Sequence, residues 1–265
     1  MIVAVDIGNT NIVLGFIEGD DIVGTYRIST KSSRTGDEYG LLLVQFLAMS
    51  GFKPKDVEGV VICSVVPQVM HSFRASIVNF LGINPMVVGP GIKTGVNVRI
   101  DDPRTMGSDC IVNCVGAYYL YDGPSLVIDM GTATTFNYID ADANIRMCVI
   151  APGMQTSAHA LAGDTAQLPN VEIARPACGI MATNTVASIQ SGLFYTALGG
   201  LEKTVEVCHE QIGSPFTVVA TGGFSNLFKG ETDAIDHFDP ALIFKGMNLI
   251  YKRQKQHQQR RHEHE

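Results

Sequence analysis

Met1-Ile-Val-Ala-Val-Asp6-Ile-Gly8-Asn9-Thr10 opens the chain, and Ser125-Leu-Val-Ile-Asp129-Met-Gly131-Thr132-Ala-Thr134-Thr135 restates it in the second half. Each copy is an apolar β-branched run, an Asp, a Gly two residues on, and then small hydroxyl or amide residues. A second apolar run follows each, Ile12-Val-Leu-Gly15-Phe-Ile17 in one and Phe136-Asn-Tyr-Ile139 in the other. The pattern reads as strand, tight turn, strand, with an acid at the strand end and a glycine that lets backbone approach a ligand closely. Two such hairpins can hold the phosphates of a nucleotide and a hydrated metal. One copy is weak evidence; a duplicated one points to a two-lobed phosphoryl-transfer fold.

The surrounding segments repeat as well. The turn at Glu18-Gly-Asp-Asp21 leads to a third strand over 22–28, and the turn at 140–144 leads to one over 145–150. A helix starts at Thr35-Gly-Asp37-Glu38, a buried strand spans 60–66, a helix spans about 68–80, and a short strand lies near 86–88. A further helix covers about 109–120. Asp122-Gly-Pro124 breaks the chain before the second motif. Helices are expected at 154–162, 184–198 and 199–211, followed by a strand at 217–220 closed by Thr221-Gly222-Gly223. This order predicts an α/β chain built from a duplicated ribonuclease H-like (actin-like ATPase) fold, two lobes around a nucleotide cleft. The expected division is residues 1–122, residues 123–253, and a polar, solvated tail over 254–265.

Composition sets limits. With 265 residues, 46% hydrophobic and 17% charged, two ordinary domains can each bury a core. A net charge of −7 argues against a nucleic-acid partner, since such proteins carry a basic face. The chain holds no apolar run long enough to span a membrane and begins directly on a strand, so a cytoplasmic protein is expected. The six cysteines, at 63, 110, 114, 148, 178 and 208, show no metal-binding spacing and read as reduced, mostly buried thiols.

Asp6 and Asp129 end apolar strands, where a carboxylate either caps the turn or serves a ligand. Duplication favours the ligand. Magnesium takes oxygen ligands from one or two carboxylates, with phosphates and water completing the shell. Gly8, Asn9, Thr10, Gly131, Thr132 and Thr134 offer backbone N–H groups and short side chains to phosphate oxygens. Asp109, after Gly107-Ser108, reads either as a helix-start acid or as a base for a substrate hydroxyl. Thr221-Gly222-Gly223 reads either as a close approach to a nucleoside or as an ordinary turn.

With these segments in place, the chain resembles the type III pantothenate kinases, within the acetate/sugar kinase, actin and heat-shock ATPase superfamily. The resemblance runs from Met1 to about Arg253. It rests on Asp6-Ile-Gly-Asn-Thr10, Tyr26-Arg-Ile-Ser-Thr30, Ser64-Val-Val-Pro67, Asp102-Pro103, Gly107-Ser-Asp109, Asp129-Met-Gly-Thr-Ala-Thr-Thr135, Pro152-Gly153, Thr165-Ala-Gln-Leu-Pro169, Asn184-Thr185 and Thr221-Gly-Gly223. It implies transfer of the ATP γ-phosphate to the primary hydroxyl of pantothenate, the first step of coenzyme A synthesis. By the same resemblance, Asp6, Ile7, Gly8, Asn9, Thr10, Asn11, Ile12 and Val13 form the first ATP-binding segment, and Thr132 touches ATP in the second. It further implies that Asp129 holds a monovalent cation, K+ or NH4+, beside the Mg2+ of the nucleotide. Asp109 is implied as proton acceptor, Gly107, Ser108, Asp109 and Cys110 as the pantothenate segment, and Thr185 as a residue reaching the partner's site in a homodimer.

Three positions depart from the family pattern, all on the acceptor side. Cys110 stands where the family carries Arg, which offers a fixed charged fork to a carboxylate. Ile100 replaces a Tyr, and Met181-Ala182-Thr183 lacks a usual basic residue. Besides pantothenate phosphorylation, these departures leave two other readings: a kinase for another small hydroxylated acceptor, and a nucleotide-binding regulatory paralogue.

Overall fold

The structure is a computed structural model that describes residues 1–89 and 92–262. It divides into two compact units, Met1–Leu120 with the chain from Leu242 onward, and Tyr121–Ala241.

In the first unit, strands β1 (Ile2–Ile7), β2 (Asn11–Glu18) and β3 (Asp21–Ser29) form an antiparallel meander. Helix α1 (Gly36–Met49) follows, started by a capping box in which the Glu38 N–H donates to Thr35 Oγ1 and the Thr35 N–H donates to Glu38 Oε2. Strand β4 (Gly59–Ser64) then runs parallel to β1. Pro67 sets the first turn of helix α2 (Pro67–Leu81), and the short strand β5 (Met86–Val87) pairs with β4. The extended pair Asn97–Val98 (β6) and helix α3 (Ser108–Leu120) complete this part. The sheet order is β3-β2-β1-β4-β5. β1 and β4 are central and covered on both faces, which is why they read as continuous apolar runs. β3 is an edge strand with alternate residues exposed.

The second unit repeats the plan. Strands β7 (Ser125–Met130), β8 (Ala133–Ile139) and β9 (Asn144–Pro152) form the meander, followed by helices α4 (Met154–Gly163) and α5 (Thr185–Ile212). β10 (Thr217–Thr221) runs parallel to β7, and β11 (His237–Phe238) runs parallel to β10. The strands that this unit itself supplies run β9-β8-β7-β10-β11, which matches β3-β2-β1-β4-β5 strand for strand. Each unit is therefore a ribonuclease H-like fold, and the chain carries two of them.

Three expectations need correction. First, α5 is one helix, not two. Asn184 caps its start by accepting the Ala187 N–H, and the buried series Leu193, Phe194, Leu201, Val205 and Cys208 carries it through Gly199-Gly200. Two helix glycines cost about 2 kcal/mol relative to alanine, less than that packing returns. Second, residues 242–253 do not belong with the second unit. They form the start of helix α6 (Leu242–His262), which packs on the first unit. Gly15 lies against the Phe244 ring, Gly116 against Leu242, and Gly246 against Val112, so three glycines admit the helix. Third, the polar segment from Gln254 continues this helix as far as His262; residues 263–265 lie outside the described residues. Among the described residues, no helix is long and apolar enough to cross a membrane.

Candidate active site

The first hairpin turns over four residues. Ile7 pairs with Ile12, and the Gly8 N–H donates to the Asn11 carbonyl at 3.0 Å. The end of β3 braces this loop: Thr30 Oγ1 donates to the Gly8 carbonyl at 2.6 Å, and the Thr30 N–H donates to the Thr10 carbonyl at 3.0 Å. The loop backbone is thus fixed at both ends. Asp6, half-buried, lies across from Val13 on β2 and Cys63 on β4.

The Gly107-Ser108-Asp109-Cys110 segment joins this strand end through Ser108. Its Oγ donates to the Ser64 carbonyl at 3.0 Å and accepts from the Ser64 N–H at 3.2 Å and from the Cys63 thiol at 3.2 Å. One hydroxyl therefore ties the start of α3 to the end of β4, next to the strand that carries Asp6. Asp109 lies in the first turn of α3, half-buried, and its Oδ1 accepts the Cys110 N–H at 2.8 Å. That oxygen occupies the space a side chain on Gly107 would need. This is the physical reason for glycine at 107. If Asp109 serves as the base considered above, Gly107→Ala is expected to turn its carboxylate away and lower turnover at least ten-fold while the melting temperature holds within a few degrees; steady-state kinetics with a thermal melt checks it. Cys110 is buried, at 8% exposure, on the inner face of α3.

The second hairpin is tighter by one residue. Met130 pairs with Thr134, and the Gly131 N–H donates to the Ala133 carbonyl at 3.0 Å. Here the brace comes from the start of α4. The Gly153 N–H and Thr156 Oγ1 both donate to the Thr132 carbonyl, at 3.2 and 2.6 Å. A side chain at Gly153 would strike the Gly131 and Thr132 backbone. Asp129 pairs with Thr221 on β10, and Gly222, at φ +90, lies against Asp129 Oδ1 and the Met130 backbone. Within this unit, then, the glycine after Thr221 is required by close approach to Asp129.

The structure brings the expected residues together in two sets. Asp6–Val13 and Gly107–Cys110 gather at the β1–β4 strand ends of the first unit. Asp129 and Thr132 gather at the matching ends of the second. Thr185, at the start of α5, lines a largely apolar cavity of about 1100 Å³ with Gly131 and Thr134. Sequence reading assigns no role to Thr30, Thr156 or Gly153, although each fixes a phosphate-type loop. For the two threonines the local signal is a hydroxyl at a strand end or in the first turn of a helix, which many ordinary turns share. Among the described residues, no cluster of three or more His, Cys, Asp or Glu side chains could cage a metal.

Two ribonuclease H-like units, each with an acid-and-glycine hairpin at the same strand ends, define the actin-like ATPase and sugar kinase class of fold. A family profile described as type III pantothenate kinase matches residues 2–207, and the chain belongs to that family. The type III pantothenate kinase of Bifidobacterium longum subsp. infantis is 60% identical over 253 residues, covering 96% of this chain and 99% of its own. That of Agathobacter rectalis is 42% identical over 255 residues, covering 96% and 98%. Among solved structures, a candidate 2-dehydro-3-deoxygalactonokinase from Sinorhizobium meliloti superposes with a TM-score of 0.57 at 14% identity, covering 95% of this chain and 96% of that one. At that identity the likeness concerns the fold alone.

Proposed function

We infer that this protein transfers the γ-phosphoryl group of ATP to the primary hydroxyl of pantothenate, the entry reaction of coenzyme A biosynthesis. The observation that carries the reading is family membership over most of the chain, joined to the repeated Asp6 and Asp129 hairpins with their braced loops. In this reading, the N–H groups of 7–13 and the Thr132 segment receive the ATP phosphates. Asp109 accepts the hydroxyl proton as the pantothenate oxygen bonds to the γ-phosphorus and the bond to ADP breaks. Gly107, Ser108, Asp109 and Cys110 form the acceptor segment.

Asp6 and Asp129 are proposed to serve the cations, Mg2+ at the nucleotide and K+ or NH4+ at Asp129. The donor set fits this proposal: single carboxylates beside braced loops of carbonyl and hydroxyl oxygens suit hard cations that keep water and phosphate in their shell. Those cations would neutralise phosphate charge, while the chain's own residues hold and orient the phosphates.

A homodimer is also proposed, with Thr185 serving the acceptor site of the partner. Support comes from the apolar side chains that the second unit exposes, Ile150, Ile180, Met181 and Val186 among them. Sedimentation is expected to show a dimer at micromolar concentration; a monomer alone contradicts it. A reducing, cytoplasmic setting is proposed, in which the six cysteines remain thiols.

The acceptor motif supplies a further test. Cys110→Arg restores a charged donor for the pantothenate carboxylate and is expected to lower its KM roughly ten- to a hundred-fold, the equivalent of about 1.5–3 kcal/mol. Because Cys110 is buried, the larger side chain is also expected to destabilise the fold by about 1–3 kcal/mol. Pantothenate kinetics at saturating ATP and a urea melt separate the two effects.

A further inference from the structure

The duplication allows the hairpins to be compared position by position. In the first, Asp6 faces Val13, and the residue two further along β2 is Gly15, which makes room for Phe244. In the second, Asp129 faces Thr135, and the residue two further along β8 is Asn137. Residues two apart on a strand share a face, and directly opposed residues of an antiparallel pair share it too, with Cβ atoms about 5 Å apart. Asp129, Thr135 and Asn137 therefore line one face of the second hairpin, where the first hairpin has an acid and no hydroxyl or amide behind it.

Asn137 is completely buried, and its Nδ2 donates to Thr135 Oγ1 at 3.1 Å. Its Oδ1 finds no partner among the described residues. Burying an amide with one unsatisfied oxygen disfavours folding, and an apolar side chain of the same size avoids that cost while giving up only the one hydrogen bond to Thr135. Stability does not explain asparagine here. What the amide does accomplish is to occupy a lone pair on Thr135 Oγ1, so that the threonine's own proton points away from Asn137.

We propose that Asn137 and Thr135 are positioning residues for Asp129: the Asn137 amide fixes the Thr135 hydroxyl so that it donates toward the Asp129 carboxylate and holds it in the orientation that serves bound ATP and its cations. The inference rests on the reading of Asp129 as a nucleotide-side carboxylate. It makes the two hairpins unequal, since only the second carries a relay behind its acid. Partners that orient a ligating group typically change its affinity ten- to a hundred-fold when removed.

The test uses Asn137→Leu, Thr135→Val, Thr135→Ser, the Asn137→Leu/Thr135→Val double variant and Asp129→Asn in the full chain. The ATP dissociation constant is measured by calorimetry with Mg2+ and K+ but no pantothenate, alongside the melting temperature. Asn137→Leu and Thr135→Val are each expected to weaken ATP binding about ten-fold with an unchanged or higher melting temperature. The double variant is expected to be no worse than the weaker-binding single, as for two members of one relay, and Thr135→Ser to bind as the wild type. If Asp129→Asn weakens ATP while Asn137→Leu and Thr135→Val bind it normally, the relay is overturned and the reading of Asp129 stands. If Asp129→Asn also binds ATP normally, both fall. Additive losses with a lowered melting temperature assign the pair a packing role and overturn the relay as well.

Discussion

Asp109→Asn is expected to lower kcat by two to four orders of magnitude while ATP binding stays near wild type. Removing a general base has an effect of that size because the amide takes no proton from the attacking hydroxyl. The substitution keeps the side-chain shape and one oxygen to accept the Cys110 N–H, so the first turn of α3 should persist. Ser108 continues to pin that turn to Ser64. Rapid-quench kinetics with labelled ATP reads the chemical step, and calorimetry reads the binding. A kcat within three-fold of wild type would remove Asp109 from the reaction.

The second large effect is expected at the paired acids. Asp6→Asn and Asp129→Asn should each reduce kcat/KM for ATP by at least a hundred-fold, since each removes a negative charge from a strand end proposed to hold a cation against phosphate. Their effect on folding is expected to be small. Asp6 and Asp129 are half-buried at strand ends, and the two cores are built from other side chains: Val3, Val5, Leu14 and Ile62 in the first unit, Leu126, Ile128, Phe136 and Phe194 in the second. Titration of activity with Mg2+ and with K+ distinguishes the two sites. Asp129→Asn should raise the K+ requirement, and Asp6→Asn the Mg2+ requirement. Full cation response in both variants would refute the pairing of these acids with phosphate chemistry.

The sequence made the hairpins legible because each couples a buried β-branched strand to an acid and a glycine, and the second copy removes the ambiguity of the first. The duplicated meander carried the ribonuclease H-like reading with it, but β11 (His237–Phe238), which lies beside β10, was not expected, because two residues carry no strand signal. α6 was not legible as part of the first unit. Leu242, Phe244, Met247 and Ile250 have helical spacing, but only the grooves left by Gly15, Gly116 and Gly246 say which unit they pack against. The break expected at Gly199-Gly200 shows the same limit from the other side: local glycine propensity is overridden by a buried face that continues to Cys208. At the site, Asp6, Asp109 and Asp129 were visible from their motifs. The residues that brace the loops, Thr30 and Thr156, were not, because a brace is defined by a contact between distant segments, Thr30 to Gly8 and Thr156 to Thr132.

The most direct measurement is phosphate transfer itself. Purified protein with ATP, Mg2+, K+ and pantothenate should form ADP and a phosphorylated pantothenate in equal amounts, identified by mass, with little ADP when pantothenate is left out. ADP formed at the same rate without pantothenate, or ATP bound and never consumed with pantothenate at millimolar concentration, contradicts the assignment.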